Sequence, residues 1–299
     1  MAATGHDLSA LPKADVAAPV HDLTLREIEG PSALGGSLKR FMFLTFTIAV
    51  TEFKLRFYGS ILGYFWQLIR PLLLFATLYL VFNHLVKVGE LVDFYAVVLL
   101  MNIVLYTFFI EGSSAVTSVV DREQLVRKIQ VPRLAIPLAV TLTAAFNVVL
   151  NLLVVLVFAV ITGITPHWGW LEVPFLLAAL AALAAGFAML LSALYVRYRD
   201  IKPIWDVFSQ ILFYGTPVIY VLDGITSIAP WIKEIMAMNP LASILIQMRH
   251  AIIDPAAPSA ADAVGGAVYL LIPIGIGIGI VLLGYRVFDR EAPRIAEEL

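Results

Sequence analysis

Cysteine is absent from all 299 residues, which excludes disulfides, thiolate metal sites and cysteine nucleophiles. Charge is scarce as well. Asp, Glu, Lys and Arg together make up 14% of the chain, against about a quarter in ordinary soluble domains. Such a chain cannot coat itself with charge. With 61% apolar residues and a mean hydropathy of +0.90, its outer surface must face lipid. The net charge of −2 excludes a broadly basic nucleic-acid binder. Catalytic signatures are missing too. No G-x-x-x-x-G-K-[ST] occurs, so the chain has no phosphate cradle of its own for ATP. There is no H-E-x-x-H, no G-x-S-x-G and no Rossmann glycine pattern. His6, His21, His84, His167 and His250 are scattered without metal-like spacing. Carboxylates do not cluster inside the apolar runs, so nothing supports an intramembrane enzyme. No internal repeat is visible.

What is present is a series of long apolar runs. A bilayer core roughly 30 Å thick needs about 20 apolar helical residues. Residues 1–38 do not qualify and lack the basic-then-apolar order of a signal peptide, so a cytoplasmic tail is expected there. Residues 39–62 hold only a short apolar run, Phe41–Thr51, before Glu52, Lys54 and Arg56. An amphipathic helix lying in the membrane interface is expected. Six spans are then expected within 63–288: Tyr64–Val86, Phe94–Val120, one inside Leu134–Trp170, Val173–Val196, about Pro203 to Leu222, and Ala263–Tyr285. A second cytoplasmic tail, 289–299, follows. Ile235–Met248 is too short to span and contains Pro240, so 224–254 is expected to be an outer lid of two short helices dipping back toward the membrane. With six spans, 17 of the 20 Lys and Arg residues fall on one side; only Lys87, Lys233 and Arg249 fall on the other. The positive-inside rule then places both termini in the cytoplasm. The fold expected is an all-α membrane protein.

Several features carry more than packing. In the loop after the second span, Asp121 can cap a helix with Gln124 at the capping-box position. Leu125, Val126 and Ile129 share one face, Arg122, Arg127 and Lys128 are polar, and Pro132 ends the segment. This is either a basic loop holding lipid head groups or a short helix that docks into a cytoplasmic partner. Glu111 is the one carboxylate well inside a span, where a charge costs several kcal/mol, so it should face a partner or a cavity. It is either a structural hydrogen-bond acceptor or part of a channel. Tyr106, Phe108 and Phe109 near it, with Phe208, Phe213, Tyr214 and Tyr220 of the fifth span, are packing rings or stacking surfaces for sugars. Pro217 beside Gly215 makes a plausible hinge. Gly275 and Gly279 form a G-x-x-x-G pair suited to close helix packing, within one subunit or across a dimer seam.

Four segments together resemble one family. Residues 52–71 (EFKLRFYGSILGYFWQLIRP), 106–133 (YTFFIEGSSAVTSVVDREQLVRKIQVPR), 195–220 (YVRYRDIKPIWDVFSQILFYGTPVIY) and 239–250 (NPLASILIQMRH) are similar, in order and at family spacing, to the ABC-2 bacterial export permeases. The resemblance spans about residues 40 to 290. It is nearest to exporters of lipid-linked polysaccharides such as O-antigen, teichoic acid, galactan and capsule. Gln130 and His250 depart from the family pattern, which carries an aromatic and an Asp there.

The resemblance implies a permease in the bacterial cytoplasmic membrane that performs no bond chemistry. It implies a homodimer paired with two copies of a nucleotide-binding ATPase, which carries the ATP and Mg²⁺; this chain binds no cofactor. Residues 121–130 would be the coupling helix, with Asp121, Arg122, Glu123, Leu125, Arg127 and Lys128 seated in the ATPase, and Arg199 and Asp200 a second contact. Lys54, Arg56, Tyr58 and Arg70 would meet the substrate's head group, or simply anionic lipid. Tyr106, Phe109, Glu111, Tyr214, Pro217 and Tyr220 would line or gate the channel. A small drug or lipid as cargo, or ion-coupled transport through Glu111, are the alternatives.

Overall fold

A computed structural model describes residues 37–58, 63–85, 87, 92–121, 132–225 and 228–292. Nearly all of the expected N-terminal tail falls outside these residues. So do 293–299 and Arg122, Glu123, Leu125, Arg127 and Lys128 of the expected coupling helix. The described residues are helical, with no strand among them: α1 Leu38–Phe57, α2 Gly63–Tyr79 prolonged by a π-helical turn Leu80–Leu85, α3 Tyr95–Ser113, α4 Ser118–Asp121, α5 Ala135–Ile161, α6 Val173–Arg197, α7 Ile201–Gly215, α8 Pro230–Ala237, α9 Pro240–Ile252, α10 Ala260–Ala263 and α11 Leu271–Glu291. Among the described residues, five helices are long and apolar enough to cross a membrane: Phe65–Asn83, Tyr95–Asp121, Ala135–Ile161, Trp168–Arg197 and Leu271–Glu291.

The centre is α3. It is apolar on every side, as a helix surrounded by others must be, and almost every residue from Tyr95 to Phe109 is buried. Around it stand α2, α5 and α6. On α5 the inward face follows helical spacing through Ala144, Asn147, Val148, Asn151, Val155 and Ala159, while Val149, Leu153, Val157 and Val160 point away. The helix α1 lies along α5. Thr143 donates to the Ala49 carbonyl at 3.3 Å, and Phe46 and Phe53 meet Phe146 edge-on at 6.1 and 5.6 Å. Apolar residues circle its first turns, with Phe41 and Ala49 buried and Met42, Phe43 and Phe46 exposed. Its charges Lys54 and Arg56 gather in the last turn. Its polarity is therefore graded along the axis rather than split cleanly between faces.

The outer pair α6 and α11 approach closely at glycines. A Cβ on Gly284 would lie 2.3 Å from the Gly186 carbonyl oxygen, so only glycine fits. Of the two readings of the G-x-x-x-G pair, close packing within one subunit is not what is seen: a Cβ on Gly275 or Gly279 meets nothing within 4 Å.

The expected fifth span is corrected. Instead of one helix to Leu222, α7 ends at Gly215, and Thr216–Leu222 is non-helical. The cause is local. Pro217 disfavours helical geometry at the preceding residue, and Thr216 is extended at φ −104°, ψ 145°. The freed carbonyls are claimed by side chains of α3. Asn102 donates to Pro217 at 3.0 Å and to Val218 at 3.3 Å, and the Tyr95 hydroxyl donates to Ile219 at 2.8 Å. Irregular backbone is tolerable at membrane depth only when protein satisfies it in this way.

Beyond this break, α8 and α9 form the two short helices expected for 224–254. Asn239 caps α9, accepting from the Leu241 amide at 3.0 Å. The α9 helix seats on the turn Trp168–Glu172. Trp170 donates its indole N–H to the Ile252 carbonyl at 3.1 Å, and Gln247 donates to Glu172 at 2.7 Å. Arg249 pairs with Asp223 at 2.8 Å, tying α9 to the end of the broken segment.

Candidate functional site

Four helices deliver polar groups to one point inside the bundle. Glu111, near the end of α3, accepts from Asn147 of α5 at 3.0 Å and from Gln67 of α2 at 3.3 and 3.5 Å. Arg56, in the last turn of α1, lies 3.7 Å from the same carboxylate. The placement follows from helical spacing. Gln67, Arg70, Pro71 and Leu74 form one face of α2; Val104, Thr107, Phe108 and Glu111 one face of α3; Ala144, Asn147, Val148 and Asn151 one face of α5. Together they line a cavity of about 400 Å³, with Tyr106 and Phe213 also on its wall.

The site is partly open and partly sealed. The Arg56 and Glu111 side chains are 47% and 23% exposed, whereas Gln67, Asn147 and Asn151 are buried. Asn151 donates to the Asn147 carbonyl at 2.9 Å. The Asn147 side-chain oxygen is buried with no hydrogen-bond partner. The cavity wall thus carries a carboxylate, one cation (Arg70) and a residue with an uncommitted amide acceptor, while Arg56 meets the carboxylate from α1. That set can hold and release a polar ligand; it contains no nucleophile–base pair. Among the described residues, no group of three acidic or histidine side chains could hold a metal ion.

The expected site residues separate. Tyr106 and Glu111 line this cavity, with Arg70 of the expected head-group set beside them. The Tyr106 hydroxyl donates to the Ser209 carbonyl, and its ring meets Phe213 edge-on at 5.0 Å. Pro217 and Tyr220 line a different cavity of about 280 Å³, with Asn102, Asp223, and Glu234 and Arg249 of α8 and α9. Tyr214 is exposed on α7. Phe109 lines neither cavity: it is fully buried against Phe187 and Trp205, in the core rather than on a channel wall. Lys54 and Tyr58 are exposed at the end of α1. Asp121 closes α4 and accepts from Thr117 at 2.7 Å. Arg199 and Asp200 form the exposed turn before α7, where the Arg199 guanidinium sits 5.0 Å from the centre of the Tyr195 ring.

Sequence reasoning did not find Gln67, Asn147 and Asn151. A signal existed: two asparagines four residues apart in an otherwise uncharged apolar helix are costly unless partnered.

The sequence profile of the ABC-2 type transporters matches residues 44–253, which contain the whole site. The chain belongs to the ABC-2 type transporter family. It is a multi-span membrane protein of that family. Its relatives match over nearly their full length. An O-antigen export system permease protein of Klebsiella pneumoniae is 26% identical over 260 residues, covering 86% of this chain and 95% of the relative. A second from that organism is 24% identical over 258 residues, with the same shares covered. One from Myxococcus xanthus is 27% identical over 264 residues, covering 88% and 97%.

Proposed function

We propose that this chain is the permease subunit of an ATP-driven exporter that carries a lipid-linked polysaccharide from the cytoplasm to the outer side of the membrane. The observation that carries this reading is the end-to-end match to permeases of O-antigen export systems. The working unit is a homodimer with two copies of a separate ATPase, which supplies ATP and Mg²⁺. Both termini lie in the cytoplasm, on the side richer in Lys and Arg. In that orientation the segment after Asp121 and the turn Arg199–Asp200 face the ATPase, and α8 and α9 form the outer lid.

The exposed face of α7 supports a path at the seam of the dimer. On α7 only Trp205 is buried, while Asp206, Phe208, Gln210 and Tyr214 stay exposed. Carboxylate and amide groups are costly against lipid tails. A second subunit across a watery path gives them an environment, and places the Glu111 cavity along it. Transport follows from differential stabilisation of open and closed arrangements, the ATPase and the substrate each favouring one.

The test is removal of the chain from a cell that displays the glycan. Surface polysaccharide should disappear and its lipid-linked precursor accumulate inside, with the same result when the Walker lysine of the partner ATPase is replaced. Unchanged surface glycan overturns the proposal. Gradient-driven transport by the purified chain alone overturns its ATP-driven part.

A further inference from the structure

The acceptor balance of the Glu111 cavity is uneven. The Asn147 amide nitrogen is committed to Glu111 at 3.0 Å, and the Asn151 nitrogen to the Asn147 carbonyl at 2.9 Å. Against these committed donors stands the buried, unpartnered Asn147 Oδ1. Asn147 is 2% exposed. Buried amide oxygens are nearly always paired, and an orphan in a cavity wall signals a missing donor. Glu111 also has spare capacity. A carboxylate offers about four acceptor positions; Oε2 faces Asn147, Arg56 and Gln67, while among the described residues Oε1 has Gln67 alone at 3.3 Å. The inner end of the cavity therefore asks for a ligand that donates.

The charge decides which donor. An anion brings acceptor oxygens rather than donors to Asn147 Oδ1 and Glu111 Oε1. A second cation gains little, because Arg56 already sits 3.7 Å from the carboxylate and offsets its charge. Neutral O–H groups remain. The walls suit the rest of such a ligand: Pro71, Leu74, Phe108 and Val148 give apolar surface against which C–H groups pack. The volume of about 400 Å³ lies within the range of small-molecule sites.

We propose that this cavity is a subsite for one neutral sugar ring, held through its hydroxyl groups by Asn147 Oδ1 and Glu111 Oε1. The assignment rests on the transport reading for the source of the sugar, the exported polymer, and narrows the residue that passes here to an uncharged one. Arg70 at the same cavity has no ion pair among the described residues and is not needed for this contact.

The test uses the natural lack of cysteine. Thr107 lines the cavity, so Thr107→Cys in the full-length chain, purified into nanodiscs, carries a unique reporter thiol. Its labelling by a water-soluble methanethiosulfonate is timed with added methyl hexopyranosides, with tetrahydropyran, and with inorganic phosphate. Hexosides should slow labelling several-fold and tetrahydropyran should not. Adding Asn147→Leu should weaken that protection about fivefold to tenfold, the effect of losing one buried hydrogen-bond partner.

Equal protection by tetrahydropyran, no protection by any hexoside, or undiminished protection in Asn147→Leu overturns the site. Protection by phosphate alone assigns the cavity to an anion at Arg70 instead. The comparison of hexosides with tetrahydropyran stands even if the leucine variant fails to insert. Failure here and failure of the transport reading are separable. Lost surface glycan without protection sinks only the sugar site; intact surface glycan with protection sinks only the transport reading.

Discussion

Gly186 and Gly284 touch backbone to backbone. A Cβ on Gly284 would lie 2.3 Å from the Gly186 carbonyl oxygen, and one on Gly186 would lie 3.0 Å from Val281 Cα. Neither neighbour is the tip of a flexible side chain, so substitution must push α6 and α11 apart. Gly284→Ala should lower stability by about 1–3 kcal/mol, the usual cost of overpacking. Gly275→Ala, with nothing within 4 Å, is the control and should be neutral or slightly stabilising. Thermal unfolding in detergent distinguishes them; equal melting of the two variants refutes the contact.

Asn102 should hold the broken segment in place. Asn102→Leu keeps the volume and strands the carbonyls of Pro217 and Val218, which receive its amide at 3.0 and 3.3 Å. Each stranded buried group costs about 1–3 kcal/mol. Amide exchange measured by mass spectrometry should quicken in 216–222 and stay unchanged in α5. Uniform change across both regions would mean that the bond is not a local anchor.

Arg249 and Asp223 join the lid to the end of that segment, with the arginine side chain 12% exposed. Asp223→Ala leaves a mostly buried cation unpaired and should loosen α9. The exchanged pair Asp223→Arg with Arg249→Asp should recover part of the loss. A double-mutant cycle measured by proteolysis of the lid gives the coupling, expected near 1 kcal/mol for a pair that remains partly in water. A coupling of zero removes the bridge from the account.

Glu111→Gln retains an acceptor for Asn147 and removes the charge opposite Arg56. Insertion and dimer assembly should survive, and glycan export should fall about tenfold if the carboxylate acts in transport. Full export in this variant would reduce Glu111 to a local hydrogen-bond acceptor. For the coupling segment, Arg127→Glu with Lys128→Glu should leave insertion intact while separating ATP hydrolysis from export.

The loop before α11 should respond to acid. The hydroxyl and backbone N–H of Ser259 both donate to Asp262, at 2.7 and 3.0 Å, and hold its carboxyl below the usual carboxylate range. A depressed folded-state value means stability that is present above the unfolded value and lost as pH falls through the folded one. His250 adds a smaller attraction. Amide-exchange protection factors around 259–264, with the intrinsic pH dependence of exchange divided out, should therefore fall at acid pH in the natural chain, and Asp262→Asn should remove that step.

Much of the helical layout was legible in the sequence because it depends on local quantities. Apolar runs long enough for a bilayer, Pro at 217, and the skew of Lys and Arg are all readable without neighbours. Glu111 stood out alone for the same reason, as a charge in the wrong solvent. Its partners did not. Gln67 and Asn147 lie 44 and 36 positions away, and polar amides in apolar helices point nowhere until the helices are rotated and packed. The glycines show the same division. Composition marked Gly275 and Gly279, but a small residue permits close approach without requiring it.

By itself, then, the sequence determined that this chain lives in a bilayer, that it is helical, and where its long apolar runs lie. Those outcomes follow from transfer free energies and backbone hydrogen bonding, which act residue by residue. Only the tertiary structure decided that Gly186 and Gly284 make the contact between α6 and α11, that the expected fifth span breaks and is held by Asn102, and that Glu111 opens into a cavity beside an unpartnered acceptor. These depend on the azimuth of one helix against another. That angle is set by the packing of all of them at once, and no single segment encodes it.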